Sequence, residues 1–250
     1  MIISKTNEYI KHVKSLSEKK YRDEYEEYVV EGIKLVNEAI EEKLNIKKIL
    51  ICKELCTKEF DFENVEYVSE QVFKYISDTE TPQGVMAIIE KKKFNGEYGK
   101  IVFALDNLSD PGNLGTIIRT LDSAGINSLI LSKGSADLYN SKVVRSTMGA
   151  IFRIDAEYTE NLQSKLLNLK EQGYRIIVTS LQADKYIYDL PFKEKCVVVI
   201  GNESKGVSEK IMELADIKTK IPMLGRTESL NAAVAASIIA YEAVRQNFVG

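Results

Sequence analysis

Five polar side chains in three short stretches have the types needed to handle a bound ligand. Asn113 and Arg119 lie in the first, which runs over residues 106–119, Glu203 in the second, and Ser229 and Asn231 in the third. Residues 106–112, 200–206 and 221–231 each mix glycine with Asn, Glu or Ser at the end of an apolar run. Open α/β sheets bind ligands outside the carboxyl ends of their strands, so three such loops point to one shared crevice. Glycines there let the backbone approach a ligand, and the apolar neighbours suit a flat heterocycle. The head of the last helix, residues 229–231, adds free backbone N–H groups.

Several other chemistries are disfavoured. Gly112 and Gly115 are three apart, so no G-x-G-x-x-G dinucleotide fingerprint is present. Gly201 and Gly206 have the outer spacing of a P-loop, but Val207 stands where the phosphate lysine belongs. The only histidine, His12, is remote in sequence from the three stretches, which argues against Ser–His or Cys–His hydrolysis. Cys52 and Cys56 are too few for zinc, and no metal site is expected. Three cysteines, an odd number beside apolar runs, read as reduced and structural, hence a cytoplasmic protein. No apolar segment approaches the ~18 residues of a membrane span, and residues 1–9 lack a signal-peptide core. The net charge of −3 gives no overall basic signature, although a local patch can still bind phosphate.

The elements that must position these residues follow from periodicity. Residues 101–105 form an apolar run that reads as a buried strand. Asp110-Pro111-Gly112 supplies a turn, and Asn113 is placed to cap the helix after it. Leu114, Ile117, Ile118 and Leu121 recur at helical spacing until Gly125. Arg119 lies two turns in and need not face the packed side. Further strands are expected at 129–131, 152–156, 174–180, 196–200 and 217–221. Helices are expected at 143–148, 162–169 and 207–214, with a closing one from near Ser229 to about Gln246. The closing helix carries Ala232, Ala233, Ala235, Ala236 and Ala240, and small residues allow close packing. Arg145 reads either as a surface residue or as a phosphate ligand.

Ahead of this lies a smaller α/β layer, with strands at 25–31, 46–52, 65–68 and 84–89 and helices at 32–43 and 70–76. The charged stretch 91–100 is the linker, giving domains of residues 1–95 and 96–250. Residues 1–24 are locally basic: Lys5, Lys11, Lys14, Lys19, Lys20 and Arg22 outnumber Glu8, Glu18, Asp23 and Glu24. They read either as a solvated amphipathic helix or as a phosphate-contacting arm.

The segments 107–119, 200–208 and 221–233 together resemble the three motifs of the SpoU (TrmH) family of RNA ribose 2′-O-methyltransferases. The N-terminal part resembles that family's RNA-substrate-binding domain through Tyr28-Val29-Val30-Glu31-Gly32 and Thr81-Pro82-Gln83-Gly84-Val85. One departure is Ser204, where many members have glycine, and it is expected to be tolerated. The resemblance implies a parallel-sheet SPOUT domain with a deep trefoil knot behind a small α/β domain. It also implies S-adenosylmethionine as cofactor, walled by Ser180, Leu181, Gln182, Ile200, Gly201, Ile221, Met223 and Leu230. A homodimer and an RNA partner follow by the same resemblance, ribosomal RNA ahead of transfer RNA.

The implied reaction moves a methyl group from a sulfonium to a ribose 2′-hydroxyl, with Arg119 at the hydroxyl. Alignment of an activated donor can supply about 7–11 kcal/mol. Arginine is a poor literal base, so its easier role is to clamp a phosphate and stabilise the forming alkoxide. Asn113, Ser229 and Asn231 would orient the reactants. Glu203 would fix Arg119 or a loop amide, or serve only as a structural loop carboxylate. The residues expected to meet RNA are Lys5, Lys11, Lys14, Lys19, Lys20, Arg22 and Arg145. The rival reading is a non-catalytic RNA-binding protein that keeps the pocket.

Overall fold

The structure is a computed structural model that describes residues 1–248. They form two compact units, one of residues 1–93 with 137–152, the other of residues 94–136 with 153 onward.

In the first unit, α1 (Glu8–Ser15) and α2 (Lys19–Tyr25) lead into β1 (Glu27–Glu31), α3 (Ile33–Glu41), β2 (Ile46–Ile51), β3 (Val65–Tyr67), α4 (Glu70–Ile76) and β4 (Val85–Glu90). The sheet order is β1-β4-β2-β3, with β4 antiparallel to both neighbours and β3 parallel to β2. Ile10 and Val13 of α1 and Leu16 just after it are buried with Val72, Phe73 and Ile76 of α4 and Leu50, Met86 and Ile88 of the sheet. Burying each such side chain contributes roughly 1.5–3 kcal/mol. The basic segment is therefore a docked amphipathic helical pair with Lys11, Lys19 and Lys20 exposed to solvent.

The two N-terminal motifs meet where the Gly32 N–H donates to the Val85 carbonyl at 3.0 Å. The Glu31 carboxylate accepts hydrogen bonds from Ser77 Oγ at 2.7 Å and Thr79 Oγ1 at 2.8 Å. Gln83 Oε1 accepts from the Ile33 N–H at 2.8 Å, satisfying a free donor at the head of α3. Gly32, at φ +109°, makes the turn between them.

The second unit holds β5 (Ile101–Leu105), α5 (Pro111–Ser123), β6 (Ser128–Ser132), β7 (Asp155–Thr159), α7 (Leu162–Glu171), β8 (Arg175–Thr179), β9 (Lys185–Tyr186), β10 (Cys196–Ile200), α8 (Glu209–Leu214), β11 (Ile217–Lys220) and α9 (Ala232–Phe248). Among the described residues seven strands form one sheet, ordered β7-β6-β5-β10-β8-β11-β9, and every pairing is parallel. A parallel sheet is covered on both faces, which explains the unbroken apolar runs of β5 and β10. Leu162, Leu166 and Leu169 of α7 and Ile211 of α8 pack on one face. Helices α5 and α9 pack on each other, with Thr120 Oγ1 and Ser237 Oγ 3.0 Å apart. No helix among the described residues is long and apolar enough to cross a membrane.

Several elements differ from the sequence reading, among them the helix expected at 143–148, which spans Ser141–Ser146. The strand expected at 152–156 lies at Asp155–Thr159, because Ala150–Phe152 form a buried 3-10 turn. Helix α8 starts at Glu209 and α9 at Ala232, each later than expected. Strand β9 was not anticipated, because its two residues are polar and exposed and carry no pattern.

Residues 137–152 belong with the first unit and carry α6 (Ser141–Ser146). Asp137 receives the Arg22 guanidinium, and the Tyr139 ring lies 4.6 Å from that of Tyr28. A Cβ on Gly149, which sits at φ +95°, would strike the Glu38 carboxylate. A split at the charged linker does not bring these residues to the first unit.

Candidate active site

The first loop is built on the end of β5. Asp106, 4% exposed, accepts from the Ser208 N–H at 2.8 Å and from Asn107 Nδ2 at 2.7 Å. It thereby ties the loop after β5 to the loop after β10. Asn107 turns the chain at φ +57°, a conformation that asparagine tolerates better than most residues. The cap of α5 is Asp110, whose Oδ1 accepts from the Asn113 N–H at 2.7 Å. This corrects the expectation for Asn113. Asp110 precedes Pro111 at N1, so the cap falls one turn earlier and leaves the Asn113 side chain free for other contacts.

The second loop closes tightly on itself. Asn202 and Gly206 exchange backbone hydrogen bonds of 3.0 and 2.9 Å. A Cβ on Gly201 would collide with the Gly206 carbonyl carbon and the Val207 nitrogen, so only glycine fits there. Asn202 Oδ1 accepts from the Ser204 and Lys205 N–H groups, and its Nδ2 donates to the Asn107 carbonyl at 2.8 Å. Ser204 has an ordinary φ, and the positive φ of this loop falls on Gly206, so a side chain at 204 is accommodated.

A single line of side-chain bonds joins the three loops. Asn231 Nδ2 donates to Asn113 Oδ1 at 2.9 Å, and Asn113 Nδ2 donates to Glu203 Oε1 at 3.0 Å. Glu203 also accepts from the Asp110 N–H at 3.0 Å, the Ser109 N–H at 3.2 Å and Ser109 Oγ at 3.1 Å. Burial alone would push the Glu203 carboxyl up. The donors from Asn113, its own backbone, Asp110 and Ser109 outweigh that and hold its pKa at about 2. Glu203 thus fixes loop amides, and no bond joins it to Arg119 among the described residues. Asn231 caps α9 through the Ala233 and Val234 N–H groups, which is why that helix starts only at Ala232.

Beside this network lies a cavity of about 390 Å³. All eight residues named for the cofactor wall line it: Ser180, Leu181, Gln182, Ile200, Gly201, Ile221, Met223 and Leu230. Glu203 and Ser229 also reach it, whereas Asn113, Asn231 and Arg119 do not line it. Arg119 is exposed on α5, on the outward stripe with Thr116 and Ser123, and among the described residues its guanidinium meets no partner, although its carbonyl accepts from Ser123 Oγ at 2.8 Å.

The expected RNA contacts divide in four. Lys11 and Lys19 are exposed. Lys5, Lys14 and Lys20 sit against aromatic rings, the first two over Tyr75 and the third over Tyr21. Arg22 does not fit the expectation. It is 4% exposed, and its guanidinium is spent on Asp137 and on the carbonyls of Leu16 and Ser17, each at 2.7 Å. A buried and fully satisfied guanidinium is unavailable to a phosphate. Arg145 is half-buried on α6 beside a small cleft with Glu31 and Asp78.

Sequence reasoning gave no role to Asp106, Asn107, Asn202 or Ser208, which shape the loops from behind. The available signal was Asn or Asp immediately after an apolar strand, where these residues stabilise turns.

Comparison with known proteins gives a consistent result. The model of the SpoU rRNA Methylase family matches residues 100–241, and that of the MRM3-like substrate binding domain matches residues 7–87. The chain is 35% identical over 243 residues to the 23S rRNA (guanosine(2553)-2′-O)-methyltransferase RlmP of Bacillus subtilis, covering 96% of this chain and 97% of that one. It is 28% identical to the 23S rRNA (uridine(2479)-2′-O)-methyltransferase of Streptomyces viridochromogenes, over 90% and 84% of the two chains. Among solved structures, the AdoMet-bound rRNA methyltransferase from Sinorhizobium meliloti superposes with a TM-score of 0.87 at 31% identity, over 98% and 97% of the two chains.

Proposed function

This chain belongs to the SpoU rRNA methylase family, and from that premise we propose that it methylates a ribose 2′-hydroxyl of RNA at the expense of S-adenosylmethionine. Large-subunit ribosomal RNA is the favoured substrate, because the relatives matched over nearly their whole length carry 23S rRNA in their names. Residues 1–95 would recognise the RNA and residues 96–250 perform the transfer, a division that the two family matches support. We also take the sheet domain to carry the trefoil knot of the family. The free cysteines Cys52, Cys56 and Cys196 suit a reducing cytoplasm.

The cavity suits the cofactor. Its volume of about 390 Å³ falls in the range of small-molecule pockets. Ile200, Ile221, Met223 and Leu230 offer apolar walls for an adenine ring, and Ser180 and Gln182 offer polar edges. When bound, S-adenosylmethionine supplies a methyl group already activated on a sulfonium sulfur. The tight turn at Gly201 keeps the floor of the pocket rigid, and preorganisation lowers the cost of alignment.

The observation that carries the proposal is the bonded line Asn231–Asn113–Glu203, which locks the three loops beside that cavity. Glu203, with its pKa at about 2, stays ionised and is too weak a base to take the hydroxyl proton at neutral pH. Its part is to hold the Ser109–Asp110 turn. Arg119, exposed and unpaired, would clamp the RNA phosphate and stabilise the alkoxide, while a phosphate oxygen or water takes the proton. Val234 and Tyr241 stand exposed seven residues apart on α9, a face suited to a second copy of the chain in a homodimer.

Arg119→Ala is expected to abolish tritiated methyl transfer to ribosomal RNA while cofactor affinity, read by calorimetry, stays within a few-fold. Wild-type transfer by that variant would overturn the assignment. Wild-type protein that binds cofactor and RNA but methylates none would favour the non-catalytic rival.

A further inference from the structure

Two lysines converge on one exposed aromatic ring in the first unit. Lys5 Nζ lies 5.3 Å, and Lys14 Nζ 5.5 Å, from the centroid of Tyr75, which is 38% exposed. The arrangement is fixed by the fold. Helix α1 packs on α4 through Ile10, Val13, Leu16, Phe73 and Ile76, which leaves Lys14 and Tyr75 on the outer side of the seam. The chain start is pinned to β3 by the Ile2 N–H to Tyr67 carbonyl bond and by the Ser69 N–H to Ile2 carbonyl bond, which brings Lys5 to the same place. Neither lysine forms an ion pair among the described residues, whereas the nearby Lys74 is paired with Glu70. Two ammonium groups over one ring, with no carboxylate paired to either, leave positive charge there for an anion to neutralise.

We infer that Tyr75, Lys5 and Lys14 form a docking platform for an unpaired nucleotide of the RNA: the base stacks on the tyrosine ring in place of the two ammonium groups that now lie over it, and these swing out on their flexible stems to the flanking phosphates. This rests on the proposed RNA substrate and deepens it. An aromatic face with adjacent cations is the combination that binds single-stranded nucleic acid, because stacking reads any splayed base and lysines neutralise its backbone. A duplex gives the ring nothing, since its bases are already stacked inside. A carboxylate-bearing peptide would use the cations but has no need of the ring.

The test measures affinity of the full chain for poly(U) and for the poly(A)·poly(U) duplex across a salt series. Tyr75→Ala is expected to weaken poly(U) binding by about tenfold or more and to leave duplex binding unchanged. Tyr75→Phe is expected to bind poly(U) like the wild type, which separates loss of a stacking face from loss of the hydroxyl. K5A/K14A is expected to flatten the log–log salt slope for poly(U) by about 1.4, two phosphates at about 0.7 each. Thermal melts confirm that each variant folds. Unchanged poly(U) affinity in folded Tyr75→Ala, an equal loss on the duplex, or an unchanged slope in K5A/K14A would overturn the platform. Failure of the wild type to methylate RNA would instead overturn the proposed activity, and the binding results would still decide the platform.

Discussion

A carboxylate held at a pKa of about 2 by loop donors links the site to pH. Glu203 is depressed below its ordinary 4.5, so its stabilising contribution is complete above about 4.5 and is lost as pH falls towards 2. The stability gap between wild type and Glu203→Gln, measured by urea melts, is therefore expected to be present at pH 7 and to narrow below about pH 4.5. The same pKa predicts no Glu203 limb in the pH profile of methyl transfer between pH 5 and 8. Gly201→Ala is expected to cost roughly 1–3 kcal/mol or more, because the added methyl meets backbone that cannot move aside. Calorimetry should show cofactor binding lost with it. Asn113 and Glu203, which the structure joins in one loop network, stood out in the sequence because polar types at strand ends are conspicuous. Their partners were not, since nothing in residue spacing says that an amide 118 positions away will bond to Asn113.

At the level of elements, the basic N-terminal segment illustrates what charge counting misses. Its apolar positions Ile10, Val13 and Leu16 are buried in the core, and Arg22 is buried with Asp137. Removing residues 1–24 would therefore unfold the unit, and point substitutions are the proper probe of its lysines. Arg22→Ala is expected to destabilise by about 3–5 kcal/mol, because it leaves the largely buried Asp137 carboxylate without its cation and the Leu16 and Ser17 carbonyls without their donor. A denaturant series followed by tryptophan-free far-UV signals suits this chain, which has no Trp. Periodicity found α5, α7 and α9 and the buried strands. It failed where a side-chain cap set the boundary, as Asn231 does for α9, and where a strand was too short to show alternation, as in β9.

For the whole molecule, the proposed second copy is testable through α9. Tyr241→Asp is expected to yield a monomer by sedimentation and to lose methyl transfer while keeping its fold. A folded monomer with full activity would exclude the dimer as a requirement. The alternation of strands and helices made a parallel sheet legible, but not its order. Spacing along the chain carries no record of which strand enters the middle, and β10 does so with each residue 95 positions beyond its partner in β5 (Val197 opposite Val102, Ile200 opposite Leu105) only because the connections allow it.

The position of β10 has a consequence for how this protein is made. As the chain leaves the ribosome, the β5–β6–β7 half and strand β8 emerge with no direct pairing between them, because the strand that bridges them has yet to be synthesised. The candidate crevice has no floor until residue 200 is out and no far wall until Asn231 arrives. A nascent chain is therefore inert towards its substrate for most of translation, and it exposes two open sheet edges that a holdase chaperone would be expected to shield.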